Sequence, residues 1–160
     1  MARVLIVGCG CRGTTLARAF PEHAIRGTTR SSDRAAELEA AGIEAAVADP
    51  DRLATLVPAL DGVTVVCWLM GSAASSPGVH GDRLQTLMEH LVDTPVRGFV
   101  YEGAGSVDRA LLEQGAQIVR VASETWRMRC EVVSADPADR QAWLDAMKEA
   151  VERTMSAFAA

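Results

Sequence analysis

The 160-residue chain has no run of consecutive lysines and arginines, and its 16 basic residues are outnumbered by 21 acidic ones, for a formal net charge of −5. Nucleic-acid binders carry a concentrated basic patch, so no nucleic-acid partner is expected. Long apolar runs are missing as well. The longest uncharged stretch, residues 62–81, is apolar only over 63–70 before turning to Gly, Ser, Ala and Pro. That is too short to span a bilayer, and no membrane partner is expected. After Arg3 only residues 4–7 are apolar, far short of a secretory signal, so a cytoplasmic location is expected. The four cysteines, Cys9, Cys11, Cys67 and Cys130, are too few and too scattered for a disulfide framework. His23, His80 and His90 share no metal-ligand spacing with them, and no metal is expected.

What remains is an ordinary globular composition, 49% hydrophobic and 23% charged, in a length suited to one domain over residues 1–160 without a separate substrate domain. An unbroken aliphatic run at 4–7 reads as a strand buried on both faces. A helix at 14–20, with Leu16, Ala17 and Phe20 at helical spacing, is closed by Pro21 before a strand at 24–29. The pattern repeats as helix 33–41 stopped by Gly42, strand 43–48, helix 53–60 closed by Gly62, and strand 63–70. A Gly/Ser/Pro loop at 71–81 precedes helix 82–92 and strand 96–101. A long helix over 106–127, weakened by Gly115, then leads to strand 128–134 and a closing helix 139–158 with Trp143, Leu144, Met147 and Val151 inward. In the alternative, the chain breaks at Gly115 and 117–121 is a strand. Strands alternating with helices predict an α/β fold: a doubly wound parallel sheet of about six strands in the order 3-2-1-4-5-6.

Between the first strand and first helix lies Gly8-Cys9-Gly10-Cys11-Arg12-Gly13, a G-x-G-x-x-G where a dinucleotide fingerprint belongs. Gly8 permits the tight turn, Gly10 lets backbone approach a pyrophosphate, and Gly13 allows close helix-to-strand packing, with the helix N-terminus holding the anion. The second strand ends at Thr28-Thr29-Arg30, where a carboxylate would select NAD and an arginine NADP. Arg30 therefore favours NADP(H) over NAD(H), with Arg12 and Arg34 available to the same positive pocket. Asp33, about twenty residues past the glycines, reads as a helix cap. Asp49 either accepts from the adenine amino group or opens an Asp-Pro turn, and Leu69-Met70-Gly71 would lie beneath the nucleotide. Cys9 and Cys11 read as small turn residues, with a lowered thiol pKa at the helix N-terminus as the alternative. Residues 72–80 are either a lid over the ligand or a plain loop. Trp126, within Glu124-Thr125-Trp126-Arg127, reads as a core tryptophan with a solvated flank.

The stretch Ile6-Val7-Gly8-Cys9-Gly10-Cys11-Arg12-Gly13, then Arg26-Gly27-Thr28-Thr29-Arg30, then Ala41-Gly42-Ile43 with Ala48-Asp49, resembles the atypical, epimerase-like short-chain dehydrogenase/reductases. The resemblance covers about the first 100 residues and implies a Rossmann domain binding NAD(P)(H). That family uses a Tyr-x-x-x-Lys pair for proton transfer. Here Tyr101 is the one tyrosine, Gly105 stands four residues after it, and the one lysine, Lys148, lies in the last predicted helix. Glu102-Gly103-Ala104-Gly105 occupies the turn where the family places a serine or threonine, with Ser106 as a late substitute. Tyr101, Glu102 and Ser106 are thus the candidate catalytic groups, and two functional readings stand. One is an NADP(H)-binding module without conventional reductase chemistry. The other is an NAD(P)H-dependent oxidoreductase with unconventional acid groups and an unknown small carbonyl or sugar-nucleotide-like substrate. Pairing of surface helices into a homodimer is compatible with both.

Overall fold

The computed structural model describes residues 2–73 and 76–159, with side chains to residue 156. Six strands, β1 (Arg3–Val7), β2 (Ala24–Thr29), β3 (Glu44–Val47), β4 (Val65–Trp68), β5 (Gly98–Glu102) and β6 (Arg129–Val133), form one sheet in the order β3-β2-β1-β4-β5-β6. Every pairing is parallel. This is the expected doubly wound order, and it sets the reversal of winding between β1 and β4, where ligand crevices open in such sheets.

The helices are α1 (Cys11–Arg18), α2 (Ser32–Ala40), α3 (Leu53–Leu56), α4 (Asp82–Leu91), α5 (Arg109–Trp126) and α6 (Arg140–Ala159). Strand side chains alternate between faces, so each strand feeds two cores. Leu5, Val7, Val66, Trp68, Phe99 and Tyr101 pack against α3, α4 and α5. Val4, Ile6, Val65, Cys67 and Val100 pack against α1, α2 and α6 through Leu16, Leu38 and Trp143.

Several boundaries differ from expectation for identifiable reasons. The first helix begins at Cys11 rather than 14, because the glycine turn leads straight into it. The helix expected over 53–60 is α only to Leu56 and continues as a 3-10 turn, Val57–Leu60; Pro58 has no N–H to continue the α pattern. The loop 71–81 contains a 3-10 turn at Pro77–His80; its residues 74 and 75 lie outside the described residues. The long helix is unbroken through Gly115, and residues 117–121 are helical. Asp33 is not the cap of α2: Ser31 is, its hydroxyl accepting from the Arg34 amide, with Asp33 in the first turn.

Candidate functional site

The three glycines of the turn meet three different demands. Gly8 has φ +81°, a region L side chains rarely enter, and a Cβ there would lie 2.7 Å from the Leu69 carbonyl oxygen. Its amide donates to the Thr28 hydroxyl at 3.1 Å, and the Cys9 amide donates to the Thr28 carbonyl at 3.0 Å, so β2 braces the turn. A Cβ on Gly13 would press against Ile6 at 3.1 Å and the Cys9 sulfur at 3.0 Å, which is the close helix-to-strand contact expected of the third glycine. At Gly10 nothing lies within 4 Å of where a Cβ would stand. That open space sits at the N-cap of α1, whose first turn has no capping side chain and no acidic residue. The amides of Cys11, Arg12 and Gly13 find no acceptor among the described residues. A helix start left with free N–H groups and room before them is suited to an anion.

One cavity borders this turn, and a second lies beside the loop that leaves β4. The smaller, of 140 Å³, is lined by Arg30, Asp49, Met70 and Ser72 among others. The larger, of 640 Å³, is lined by Cys11, Arg12, Ser72, Ser106, Arg140 and Trp143 among others. Ser72 borders both, so a track from one to the other would run past the loop that leaves β4.

Of the arginines expected in one pocket, the structure separates the three. Arg30 is exposed and lines the smaller cavity. Arg34 pairs with Glu37 on its own helix and lines neither cavity. Arg12 turns the other way, toward β5 and the larger cavity. Asp49 borders the smaller cavity, and its Oδ1 accepts from the Asp51 amide at 2.9 Å, the hydrogen bond of the Asp-Pro turn. The Thr29 hydroxyl accepts from the Ser31 amide at 3.3 Å. Met70 lines the smaller cavity; Leu69 is buried, and its amide continues the sheet to Val7.

The candidate catalytic groups are placed on opposite faces. Tyr101 is fully buried, its hydroxyl 2.6 Å from His80 Nδ1, while His80 Nε2 stands 2.9 Å from the Met70 carbonyl. A carbonyl can only accept, so Nε2 carries the proton and Nδ1 accepts from the phenol. Burial pushes the Tyr101 phenol well above its ordinary range and His80 below its own. Glu102, also fully buried, accepts from Arg12 Nη2 at 2.8 Å and Nε at 3.1 Å, from the Trp143 indole at 2.8 Å and from the Gly71 amide at 2.8 Å. Ser106 is exposed at the rim of the larger cavity.

The thiols divide similarly. Burial pushes Cys9 up to about 11 and Cys67 and Cys130 to about 12, the opposite of an activated thiol. Cys11 is exposed. Trp126 is half-buried against the core, with exposed neighbours. Among the described residues no three His, Cys, Asp or Glu side chains converge as a metal site, and no helix is long and apolar enough to cross a membrane.

Sequence reasoning missed the wall contributed by Asp136, Pro137 and Arg140. The available signal was position: this segment leaves the carboxyl end of the sixth strand, where sheets of this kind build their sites.

No family model and no curated protein matches the sequence. Solved structures share the fold. A short-chain dehydrogenase/reductase superfamily protein from Agrobacterium tumefaciens with bound NAD aligns at TM-score 0.66 and 18% identity, over 82% of this chain and 48% of that one. UDP-glucuronic acid 4-epimerase from Bacillus cereus, in complex with UDP-glucuronic acid and NAD, gives 0.64 and 15%, over 82% and 55%. UDP-glucose 4-epimerase from Thermotoga maritima, with UDP-glucose, gives 0.68 and 10%, over 82% and 54%. The chain spans about half the length of these structures, and what it shares with them is the Rossmann domain architecture.

Proposed function

We propose that this Rossmann domain binds NADP(H) along the track between the two cavities, as an atypical, epimerase-like short-chain dehydrogenase/reductase relative that works as a binding module rather than a conventional reductase. The observation that carries the reading is Gly10, whose missing side chain leaves open space directly before the unpartnered amides of α1. The residues present fit a dinucleotide: the α1 amides for the pyrophosphate, Asp49 and Arg30 for the adenosine end, and the larger cavity for the nicotinamide end. Arg30 makes no ion pair among the described residues and is free for the 2′-phosphate that distinguishes NADP from NAD.

A nicotinamide cofactor supplies hydride chemistry when bound, but proton transfer is the task of protein groups, and two of the three candidates are engaged elsewhere. The Tyr101 proton is held by His80, and the Glu102 carboxylate is saturated by four donors. Ser106 at the rim of the larger cavity is the observation that favours the second reading, a reductase with an unconventional proton donor.

Calorimetric titration with NADPH, NADH, NADP and NAD at one ionic strength tests the reading, since a phosphate contact is salt-sensitive. NADP(H) should bind more tightly than NAD(H). Arg30→Asp should weaken NADP(H) by about 100-fold while changing NAD(H) by no more than about threefold. Equal loss of both would remove Arg30 from the 2′-phosphate, and no binding of any dinucleotide would make the glycine turn purely architectural.

A further inference from the structure

The arginine of the glycine turn is only half used. A guanidinium has five N–H groups in a rigid fork, and Glu102 takes the edge formed by Nε and one hydrogen of Nη2. The end-on edge, formed by Nη1 and the other Nη2 hydrogen, finds no acceptor among the described residues. Arg12 cannot swing away to satisfy that edge. Its partner is fully buried and held by two further donors, and its guanidinium carbon lies 5.8 Å from the centre of the Trp143 ring. With 32% of its side chain accessible, it looks into the 640 Å³ cavity. Arg140 lines the same cavity and makes no ion pair among the described residues. The acid in the wall, Asp136, is turned onto its own backbone, its Oδ1 accepting from the Ala138 amide at 2.9 Å. The hydroxyls of Thr15, Ser72 and Ser106 complete a polar lining over an apolar floor.

We infer that this cavity is a binding site for a small organic anion, a carboxylate or phosphate monoester, received by the end-on edge of Arg12 and neutralised by Arg140. Two parallel N–H groups at fixed spacing match two anionic oxygens, and because Glu102 has already ordered the guanidinium, little further entropy is lost on binding. The direction is the informative part. The arginine inside the fingerprint faces away from Arg30 and so adds to ligand recognition at the far end of the track, not to the 2′-phosphate. The site's role as a substrate pocket beside a nicotinamide rests on the dinucleotide reading above; its affinity for anions does not.

The test follows the Trp143 indole N–H by heteronuclear NMR, as this proton donates to the same carboxylate that holds Arg12. Benzoate, phenyl phosphate and neutral benzamide are titrated into the full chain, with and without saturating NADPH. At least one of the acids should shift the signal saturably and bind about tenfold or more tightly than benzamide, whichever acid is tighter identifying the preferred anion. Arg140→Glu, an exposed change, should lower that affinity about tenfold. The site is refuted if benzamide binds as well as both acids, or if Arg140→Glu has no effect. Displacement of the acid by NADPH also overturns it, for then the Arg12 edge belongs to the cofactor's own phosphates. An acid that binds a chain with no affinity for any dinucleotide supports the anion site and sinks the dinucleotide reading instead.

Discussion

Arg12 and Glu102 form a pair whose two members are not equally exposed, and that inequality has an energetic signature. Arg12→Ala would leave the Glu102 carboxylate buried with only two neutral donors, at a cost of about 3–5 kcal/mol. Glu102→Gln would set an amide NH2, which cannot accept, against one Arg12 N–H that still reaches water and one buried neutral donor that does not, at about 1–3 kcal/mol. Urea unfolding of the two variants should give that order, and the reverse order would mean that the carboxylate is not the vulnerable partner. Part of this was readable beforehand. Adjacent strand residues face opposite sides of a sheet, so Tyr101 and Glu102 could never have served one site together. What the chain does not display is the partner. The Arg12–Glu102 contact joins residues 90 apart in sequence, and no local period or spacing encodes it. The fingerprint glycines were legible for the opposite reason: their spacing falls within six consecutive residues between the first strand and helix, although the Leu69 carbonyl that also bars a side chain at Gly8 comes from β4's end.

At the scale of the element, α5 explains why one glycine sits in the middle of a helix. Gly115 faces Tyr101, and a Cβ there would overlap the phenol oxygen and press into the ring. On an exposed helix, Gly→Ala gains up to about 1 kcal/mol. Here Gly115→Ala should instead destabilise by about 1–3 kcal/mol, because the ring is fixed by the His80 hydrogen bond and cannot retreat. A thermal melt distinguishes the two signs directly; a rise in Tm would mean that α5 shifts freely against β5. Gly115 is what left two readings open for residues 106–127, since its backbone cost is visible in sequence while the ring it accommodates is not. Leu111, Leu112, Val119, Ala122 and Trp126 fit a continuous helix, which also leaves 128–134 for the sixth strand and 139–158 for the closing helix; the helix is continuous, with Leu112, Ala116, Val119 and Ala122 on its buried face. The element starts were less legible. Strand β5 runs Gly98–Glu102 rather than 96–101, because Val96 is buried ahead of the pairing and apolar character alone does not mark where a ladder begins.

At the scale of the whole molecule, the buried His80–Tyr101 contact couples global stability to pH. Burial disfavours the charged form of His80 in the fold and holds its pKa below the ordinary value of about 6.5 that it regains on unfolding. Above that value neither state takes up the proton and the contribution is complete. As the pH falls below it, the unfolded chain binds the proton first and stability declines. The Tm should therefore drop between pH 7 and 5, and His80→Gln should flatten that drop relative to the parent; an unchanged slope would assign the acid sensitivity to the carboxylates. The six-strand order was legible because alternation implies a parallel sheet with right-handed crossovers, and 3-2-1-4-5-6 is the common nucleotide-binding arrangement of such a sheet. The same sheet carries a less obvious constraint where the loops leaving β4 and β5 meet. Gly71 and Gly105 touch backbone to backbone, a Cβ on either colliding with the other segment's main chain, while the Val107 amide donates to the Gly71 carbonyl at 3.0 Å. Because each obstacle is peptide rather than side chain, no second substitution can make room, and the two positions are barred from compensating for one another. In descent from a common ancestor, then, this junction would be a point around which the rest of the sequence drifts, retaining its pair of glycines after the ligand preference on either side of it has changed.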